Sequence, residues 1–307
     1  MSSLEEMDFE GYKSGFVALI GKPNVGKSTL LNHYIGQKVA AVSFRPQTTR
    51  RRQLGILTRE DAQIIFVDTP GLHSEEYKLS NFINQEARYA LMDADLIMFM
   101  VDVSQFPDDE DRMIANEVKE RAGEVKRLLV LNKIDQVDPA LMESREDAYQ
   151  DLLDFDDSIR ISAVTEAGRE ALIIRVIELL PEGPKYYPAE QITDTYEREI
   201  AADIIRAAAL NYLEEEVPYG IFVEVDDYLL RPNGTRYVHA TIYVERQSQK
   251  GIVIGKGGRM IKQISTLARH EIEEMSGESV FLEIKVKVEK NWRNNPDFLR
   301  SHGLSHD

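Results

Sequence analysis

The sequence contains no cysteine among its 307 residues. Disulfide bonds, thiolate metal sites and cysteine nucleophiles are therefore excluded. Long hydrophobic runs are also lacking, since the longest strongly apolar run, Leu96 to Val101, is far shorter than the roughly 20 residues that a membrane-spanning helix needs. The first residues are polar and acidic and resemble neither a signal peptide nor a transit peptide. We therefore expect a cytoplasmic protein.

Basic residues are fewer than acidic ones, 37 against 53, which gives a net charge of −16. Such a charge repels nucleic acid unless cations are concentrated locally. The stretch from Arg231 to Lys262 contains seven basic residues and a single acid, Glu245. The seven are Arg231, Arg236, Arg246, Lys250, Lys256, Arg259 and Lys262. The sequence therefore predicts a local basic patch in an acidic protein.

The length of the chain fits two domains better than one core. Three prolines fall among the nine residues from Leu180 to Pro188, and proline both removes backbone donors and restricts its neighbours. We interpret this segment as a linker. The predicted organisation is a first domain over 13–180, a linker over 181–193, a second domain over 194–294 and a polar tail over 295–307.

Before the linker, short apolar runs alternate with longer amphipathic stretches. Strands are predicted at Phe16–Ile20, Gln53–Leu57, Gln63–Val67, Leu96–Val101, Arg127–Leu131 and Ile159–Ile161. Helices are predicted to begin near Ser28, Asn81, Asp109, Asp147 and Glu170. This alternation implies an α/β domain with a mainly parallel sheet and helices on both faces. Only five residues separate the second and third strands, so we predict that they form an antiparallel hairpin.

After the linker the pattern predicts a compact α+β unit in the order α-β-β-α-α-β. Its bounded elements are a helix over Asp194–Glu216, strands over Ile221–Leu230 and Arg236–Arg246, a helix from about Met260 to Met275 and a strand over Val280–Val288. Thr193 or Asp194 is expected to cap the long helix. The dipeptide Asn233-Gly234 is typical of the turn in a β-hairpin.

The segment GKPNVGKS, from Gly21 to Ser28, fits the phosphate-binding pattern G-x-x-x-x-G-K-[ST] and stands between a predicted strand and a predicted helix. In that pattern backbone N–H groups cradle the phosphates, the lysine reaches the β- and γ-phosphates and the serine hydroxyl ligates Mg²⁺. A chance glycine turn is the alternative, and the strand–helix context disfavours it. The predicted contacts are Gly21, Lys22, Pro23, Asn24, Val25, Gly26, Lys27, Ser28 and Thr29.

The segment from Asp68 to Gly71 ends the third predicted strand. A carboxylate there can hold Mg²⁺, and Gly71 can offer its N–H to a γ-phosphate because no side chain blocks the approach. Alone, the segment is an ordinary turn. Its position after the phosphate loop favours nucleotide binding.

Asn132, Lys133 and Asp135 follow the fifth predicted strand. A carboxylate at Asp135 can accept hydrogen bonds from the guanine N1–H and amino group, neither of which adenine presents in that geometry, and such a site rejects the wrong partner by about 10⁴-fold or more. Ser162 and Ala163 can supply a backbone N–H to the guanine carbonyl. The four motifs in this order predict binding of GTP and GDP with Mg²⁺.

With these motifs in place, the segment Phe44–Arg50 (FRPQTTR) resembles the first switch segment of the Era family, bacterial GTPases of ribosome assembly. The resemblance implies that Thr49 ligates Mg²⁺ when the γ-phosphate is present, with Thr48 as the alternative. It also implies that Lys27, Thr49 and Gly71 contribute to catalysis, and that Ser28, Thr49 and Asp68 form the metal site.

Leu72 stands where Ras-like GTPases carry a water-positioning glutamine. Leucine has no donor or acceptor, so we expect slow hydrolysis without a stimulating partner. The neighbouring His73 is more readily explained as an ordinary loop histidine than as a general base, and no general base can be named from the sequence.

The segment VIGKGGR, Val253 to Arg259, contains a G-x-x-G turn within the basic stretch. Alone, this is a tight turn, but in the α-β-β-α-α-β order it resembles a type II KH domain, which clamps about four nucleotides of single-stranded RNA. Glu283 to Arg293 also resembles the end of Era, so the resemblance spans roughly residues 13 to 294. The predicted RNA contacts are Gly255, Lys256, Gly257, Gly258 and Arg259.

The resemblance implies binding to the 3′ end of small-subunit ribosomal RNA and a role in assembling that subunit. It further implies a monomer that can associate peripherally with the inner membrane surface. Two rivals stay open on the residues alone: another P-loop ATPase or kinase, and a non-catalytic RNA chaperone. Trp292 is either an anchor for the tail or a ring that stacks on RNA, and most aromatic rings between 221 and 244 are expected in the core.

Overall fold

The structure, a computed structural model, describes residues 11–42, 50–70 and 77–305. Contacts divide the chain into two compact units. The first is drawn from Met1–Ile35, Arg52–Thr69 and Ala87–Asp194, and the second from Gly36–Arg51, Pro70–Glu86 and Thr195–Asp307. The predicted domain boundaries follow sequence order, whereas the second unit also takes in two short segments from the first half of the chain.

The first unit contains a six-stranded sheet in the order β2-β3-β1-β4-β5-β6. Its elements are β1 (Lys13–Ile20), α1 (Lys27–Ile35), β2 (Gln53–Thr58), β3 (Ala62–Asp68), α2 (Lys78–Met92), β4 (Leu96–Asp102), α3 (Asp109–Arg121), β5 (Lys126–Asn132), α4 (Met142–Gln150), β6 (Asp157–Arg160) and α5 (Arg169–Leu179); α2 passes from the second unit into the first. All neighbouring strands are parallel except β2 and β3, which form the predicted antiparallel hairpin.

The strand order reverses around β1, since the chain passes from β1 to β3 on one side and returns to β4 on the other. In open α/β sheets, ligands bind at the carboxyl ends of the strands at such a switch point. β3 and most of β4 are buried throughout, as strands covered on both faces are. The nucleotide motifs follow β1, β3 and β5 and therefore meet at this edge of the sheet.

Two of the predicted helix starts in the first unit were wrong by about a turn. α2 begins at Lys78 rather than near Asn81, and α4 begins at Met142 rather than near Asp147. A short 3₁₀ turn, Pro139–Leu141, leads directly into α4, so Asp147, near which the helix was predicted to begin, lies inside it. The last strand ends at Arg160, one residue before the predicted end.

The second unit contains a three-stranded sheet, β7-β8-β9, in which β7 and β8 are antiparallel and β8 and β9 are parallel. Its elements are α6 (Glu197–Tyr212), β7 (Phe222–Leu230), β8 (Arg236–Val244), α7 (Gln247–Ile254), α8 (Arg259–Ser276), β9 (Val280–Val288) and α9 (Pro296–Ser301). Gly234 has φ +79° in the predicted hairpin turn. The order α-β-β-α-α-β is confirmed.

The long helix of the second unit is shorter than predicted. Tyr196, with extended backbone, is its N-cap, so neither Thr193 nor Asp194 caps it. At the other end Leu213 is also extended and wholly buried. The helix therefore ends before the buried Leu213, and residues 214–216 lie exposed beyond its end.

Trp292 is wholly buried and anchors the C-terminal segment. Its indole Nε1 donates to the Gly220 carbonyl at 3.0 Å, and the Arg50 guanidinium lies 5.6 Å from the ring centroid. The surrounding apolar cluster consists of Leu79, Phe82, Ile83, Trp292, Phe298, Leu299 and Leu304. The segment predicted as a polar tail therefore forms α9 and buries three apolar side chains, and Trp292 is not available to stack on RNA.

Truncating Trp292 should destabilise the second unit strongly. We expect Trp292→Ala to lower the free energy of unfolding by about 3–5 kcal/mol, because a fully buried indole is lost and a cavity remains. Trp292→Phe keeps most of the apolar volume but removes the bond to Gly220, so we expect a smaller loss, about 1–3 kcal/mol, for the orphaned carbonyl. Urea denaturation followed by circular dichroism measures both, and equal losses in the two variants would contradict the packing argument.

Candidate nucleotide and RNA sites

The phosphate loop follows β1 and depends on two glycines. Gly21 has φ +148° and Gly26 φ +107°, a region that glycine adopts without steric penalty. A Cβ at Gly21 would lie 2.1 Å from the Met100 carbonyl oxygen, and one at Gly26 would lie 2.3 Å from Asn132 Nδ2. Both positions therefore require glycine, and the loop is tied closely to β4 and β5.

Lys27 is the first residue of α1 and is 7% exposed. Its ammonium donates to the Gly21 and Lys22 carbonyl oxygens at 2.8 and 2.9 Å. Burial lowers the pKa of Lys27 to about 8, against the attraction of Asp68 and Glu110. A buried ammonium held only by carbonyls is suited to an incoming anion, and phosphate is the anion that the loop and the helix N-terminus favour.

Ser28 and Asp68 lie together beside the loop. The Ser28 hydroxyl donates to Asp68 Oδ2 at 2.8 Å, and the Asp68 side chain is wholly buried. Mg²⁺ prefers hard oxygen ligands and is usually bound by one or two protein groups together with substrate phosphates. A hydroxyl and a carboxylate adjacent to a phosphate loop fit that preference, so the residues present are compatible with Mg²⁺.

Asn132, at the end of β5, joins three of the predicted motifs. Its Nδ2 donates to the Val25 carbonyl of the phosphate loop at 2.7 Å, while its Oδ1 accepts from the Ala163 N–H at 2.9 Å. The side chain is 2% exposed, so neither bond competes with bulk water. The asparagine thus acts as a brace between the phosphate loop and the predicted base-binding segment.

Removing this brace should loosen nucleotide binding. Asn132→Ala leaves a buried carbonyl and a buried N–H without partners, which costs about 1–3 kcal/mol each. We expect the GDP dissociation rate to rise by roughly 10- to 100-fold, a change that stopped-flow release of a fluorescent GDP analogue measures. Gln136, an exposed amide in the turn after β5, is the control, and Gln136→Ala should release GDP as the unaltered chain does. An unchanged rate in Asn132→Ala would contradict the bracing role.

Lys133 and Asp135 begin the segment after β5. Lys133 adopts φ +67°, and its ammonium contacts Asp102 Oδ2 at 2.6 Å. Burial opposes ionisation of Asp102, but the hydrogen bonds from Lys133 and Ser104 lower its pKa overall. Asp135 lies in a short 3₁₀ turn and is exposed, so its carboxylate is accessible to a ligand.

The amides predicted to read the guanine carbonyl already have protein partners. The Ser162 N–H donates to the Ala167 carbonyl at 2.9 Å, and the Ala163 N–H donates to Asn132. Contact between either amide and guanine therefore requires exchange of an existing hydrogen bond. The carbonyl-reading role of Ser162 and Ala163 stays a prediction.

Sequence reasoning missed several charged residues around the nucleotide site. Lys22 pairs with Asp108 and Asp111, each at 2.8 Å, and so ties the phosphate loop to the start of α3. Asp102 orients Lys133, as described above. The sequence does show an acid at the end of β4 and a cluster of acids at the start of α3. Neither pattern, however, indicates which lysine pairs with these acids.

Some predicted site residues lie outside the described part of the chain. These are Thr48, Thr49, Gly71, Leu72 and His73. Their predicted roles at the γ-phosphate stay predictions.

The G-x-x-G turn links α7 to α8. Gly255, Gly257 and Gly258 have φ of +73°, +62° and +75°, so all three adopt conformations that glycine favours. A Cβ at Gly255 would lie 2.6 Å from Met260 Cβ, whereas at Gly257 and Gly258 nothing lies within 4 Å. Gly255 is thus needed for packing, and the other two glycines leave open space where a ligand backbone can approach.

The basic stretch does not act as one patch. Arg236 pairs with Glu278 at 2.7 Å, and the Arg231 guanidinium lies over the rings of Tyr237 and Phe281 at 4.2 and 5.2 Å. Lys256 and Arg259, by contrast, are exposed on the turn. Two of the seven cations are therefore engaged by other side chains, and two of the exposed ones lie at the G-x-x-G turn.

Comparison with known proteins finds a family match in each half of the chain. A family model described as a 50S ribosome-binding GTPase matches residues 16–133, and a KH domain model matches residues 216–293. GTPase Era of Staphylococcus haemolyticus is 45% identical over 296 residues, covering 96% of this chain and 98% of the relative. GTPase Era of Lactobacillus helveticus is 46% identical over 297 residues, covering 97% and 98%. The chain belongs to the Era family of GTPases.

Two solved Era structures share the fold over nearly the whole chain. One, Era in complex with MgGDPNP and nucleotides 1506–1542 of 16S ribosomal RNA, has a TM-score of 0.88 at 36% identity and covers 96% of this chain and 99% of its own. The other, an Aquifex aeolicus Era variant bound to GDP·AlF₄⁻, has a TM-score of 0.88 at 34% identity, with coverage of 95% and 99%. The predicted fold class and family are confirmed, and membership of a GTPase family sets aside the ATPase, kinase and non-catalytic alternatives.

Proposed function

We propose that this chain is a Mg²⁺-dependent GTPase whose second domain binds single-stranded RNA at the 3′ end of small-subunit ribosomal RNA and assists assembly of that subunit. The observation that carries the proposal is the pairing of two ligand-accessible sites in one chain: a buried lysine in a phosphate loop and an open G-x-x-G turn flanked by exposed cations. The bound components of the solved Era complexes, a magnesium nucleotide and a 16S segment, support it.

Hydrolysis of GTP depends on positioning and electrostatics rather than on a covalent intermediate. The N–H groups of the phosphate loop and of the first turn of α1 are the donors that would cradle the phosphates and stabilise the charge on the γ-phosphoryl group. Lys27 adds a cation at the β- and γ-phosphates. Its existing bonds to loop carbonyls keep it in place before the ligand arrives, so little reorganisation is needed.

Bound Mg²⁺ would neutralise charge between the β- and γ-phosphates and orient them. Ser28 and Asp68 are the described residues that would hold it, and Thr49 is proposed as the further ligand from the switch segment. Base selection is assigned to Asp135, supported by Lys133 and braced by Asn132.

RNA binding is assigned to the turn from Gly255 to Arg259. Open space above Gly257 and Gly258 permits close approach of a sugar-phosphate backbone, and Lys256 and Arg259 supply positive charge beside it. Single-stranded binding of this kind depends on salt, because each phosphate contact releases counterions.

The double variant Lys256→Asp, Gly257→Asp tests this assignment. We expect it to lose at least about 100-fold in affinity for a fluorescent RNA of 16S sequence, since two carboxylates then face the phosphates, while GDP affinity is unchanged. Aspartate tolerates the left-handed backbone at position 257, and the open space there leaves room for its side chain. Gly255→Asp is unsuitable because its Cβ would clash with Met260.

Two controls separate charge from shape. Lys256→Gln, Gly257→Asn has similar side-chain size without the negative charge and should lose far less affinity. Lys285→Asp makes the same lysine-to-aspartate replacement at an exposed position on β9 and should bind RNA normally. Retention of full RNA affinity by the aspartate pair would exclude the turn as the RNA site.

The proposal extends to localisation and assembly state. Within the ranges that the structure describes, no helix is both long and apolar enough to span a bilayer. We propose a cytoplasmic monomer that can associate peripherally with the membrane surface. Sedimentation velocity tests the monomer, and flotation with anionic vesicles tests the membrane association.

A further inference from the structure

A cavity of about 630 Å³ opens beside the G-x-x-G turn, between the last residue of α6 and the first turns of α8. Its lining combines cations with an aromatic ring and an amide: Lys256, Arg259, Lys262, Tyr212, Gln263 and Thr266. None of the predicted RNA contacts includes Tyr212 or Gln263. The volume is ample for one nucleotide, since a drug-sized ligand occupies a site of about 300–1,000 Å³.

The cations of this cavity have no carboxylate partner among the described residues, although Arg259 Nε donates to the Lys256 carbonyl at 3.4 Å. Several other cations of the second unit are paired, as Arg269 is with Glu273 at 2.8 Å and Arg293 is with Glu245. Among the described residues, Lys256, Arg259 and Lys262 form no ion pair with a carboxylate. Three cations without a carboxylate partner, at the turn and on the first turn of α8, favour a phosphate there.

The uncharged part of the lining has a different character. Tyr212 is 36% exposed at the end of α6, and in the part of the chain that the structure covers neither its hydroxyl nor the Gln263 amide has a hydrogen-bond partner. Three exposed glutamates, 214–216, follow the buried Leu213 next to Tyr212 and repel phosphate. The cavity is therefore polarised, with an anion favoured at the α8 cations and an uncharged planar group favoured at Tyr212.

We propose that Tyr212 and Gln263 form a base-binding subsite for single-stranded RNA, in which the ring of Tyr212 stacks on a nucleobase and the Gln263 amide contacts its edge. Arg259 and Lys262 hold the phosphate of the same nucleotide. This subsite rests on the proposed RNA-binding function. It adds Tyr212 as a residue that contacts the base rather than the sugar-phosphate backbone. Aromatic stacking suits this role because every base presents a π-face.

The test is RNA affinity measured by fluorescence anisotropy at several salt concentrations, using the single-stranded part of the 16S segment. Tyr212→Ala should weaken binding about tenfold through the lost stacking, with an unchanged salt slope, because no phosphate contact is lost. Tyr212→Phe keeps the ring and should bind within about twofold of the unaltered chain. Lys262→Gln should instead reduce the salt slope by about 0.7.

Abasic substitution along the same RNA locates the base. At one position, removal of the base should weaken binding to the unaltered chain about tenfold but have no effect on Tyr212→Ala, because the contact is already absent. Thermal melting of each variant establishes that α6 and α8 are intact. The subsite is overturned if Tyr212→Phe binds as weakly as Tyr212→Ala, or if no abasic position is coupled to Tyr212.

Failure of the subsite is distinguishable from failure of the proposed function. If Lys256→Asp, Gly257→Asp abolishes RNA binding while Tyr212→Ala binds normally, only the subsite is wrong. If neither variant alters RNA affinity, the RNA-binding assignment of this whole face is wrong.

Discussion

Asp135→Asn should lower GTP and GDP affinity by about 10³- to 10⁴-fold, because an amide donor then faces the donors of guanine and leaves them unpaired. The same change should favour xanthine nucleotides, whose carbonyl replaces the guanine amino group and accepts from the new amide. Asp135 is exposed in its turn and has no packing role, so the fold should be unaffected. Titration with fluorescent GDP and XDP analogues measures the exchange of specificity.

Asp138→Asn is a matched control for this variant. Asp138 lies three residues further on, where it caps a short 3₁₀ turn by accepting from the Ala140 N–H at 3.0 Å. The same chemical change there should leave guanine and xanthine affinities as they are. If Asp135→Asn leaves both affinities unaltered too, Asp135 does not read the base.

Lys27→Ala should reduce GTP hydrolysis by at least about 100-fold, since the cation at the β- and γ-phosphates is one of the main electrostatic contributions to phosphoryl transfer. Phosphate release under single-turnover conditions, with nucleotide in place, separates this loss from weaker binding. Lys119→Ala, which alters an exposed lysine on α3, is the control and should turn over normally. Normal hydrolysis by Lys27→Ala would end the phosphate-loop assignment.

The same variant has a second expected result, in stability. Burial lowers the pKa of Lys27 from 10.5 to about 8, so folding disfavours its charged form when no nucleotide is bound. The penalty, up to about 3 kcal/mol, is fully present below pH 8 and disappears as the pH rises toward 10.5. The nucleotide-free chain should therefore gain stability relative to Lys27→Ala over that range, which parallel urea denaturations at about pH 7 and about pH 9.5 measure.

Much of the nucleotide site could be predicted because each of its motifs is local. Gly21 to Ser28 carries its own glycines, lysine and hydroxyl, and the apolar run before it identifies the strand. The bracing by Asn132 could not be predicted in the same way, since its two partners, Val25 and Ala163, lie far away in the sequence. For the same reason the occupied N–H of Ala163 was not foreseen.

In the second domain, the hairpin could be predicted because alternation and an Asn-Gly turn are short-range signals. The ends of α6 could not, since burial of Leu213 rather than helix propensity ends that helix. The folding of the C-terminal segment could not be predicted either, because Phe298, Leu299 and Leu304 are scattered among polar residues. Only the three-dimensional cluster around Trp292 shows why they are buried. The count of basic residues between Arg231 and Lys262 also overestimates the positive charge of that stretch, because Arg236 pairs with Glu278, which is distant in sequence.

The central claim is that one chain carries both a guanine-nucleotide site and an RNA site at the Gly255–Arg259 turn. Ultraviolet crosslinking of the GTP-loaded chain to total cellular RNA, followed by sequencing of the bound fragments, tests this claim most directly, with Lys256→Asp, Gly257→Asp treated in parallel. We predict that fragments from the 3′ end of small-subunit ribosomal RNA are strongly enriched with the unaltered chain and absent with the double variant. Equal enrichment with both proteins, or no enrichment of that RNA with either, would contradict the account.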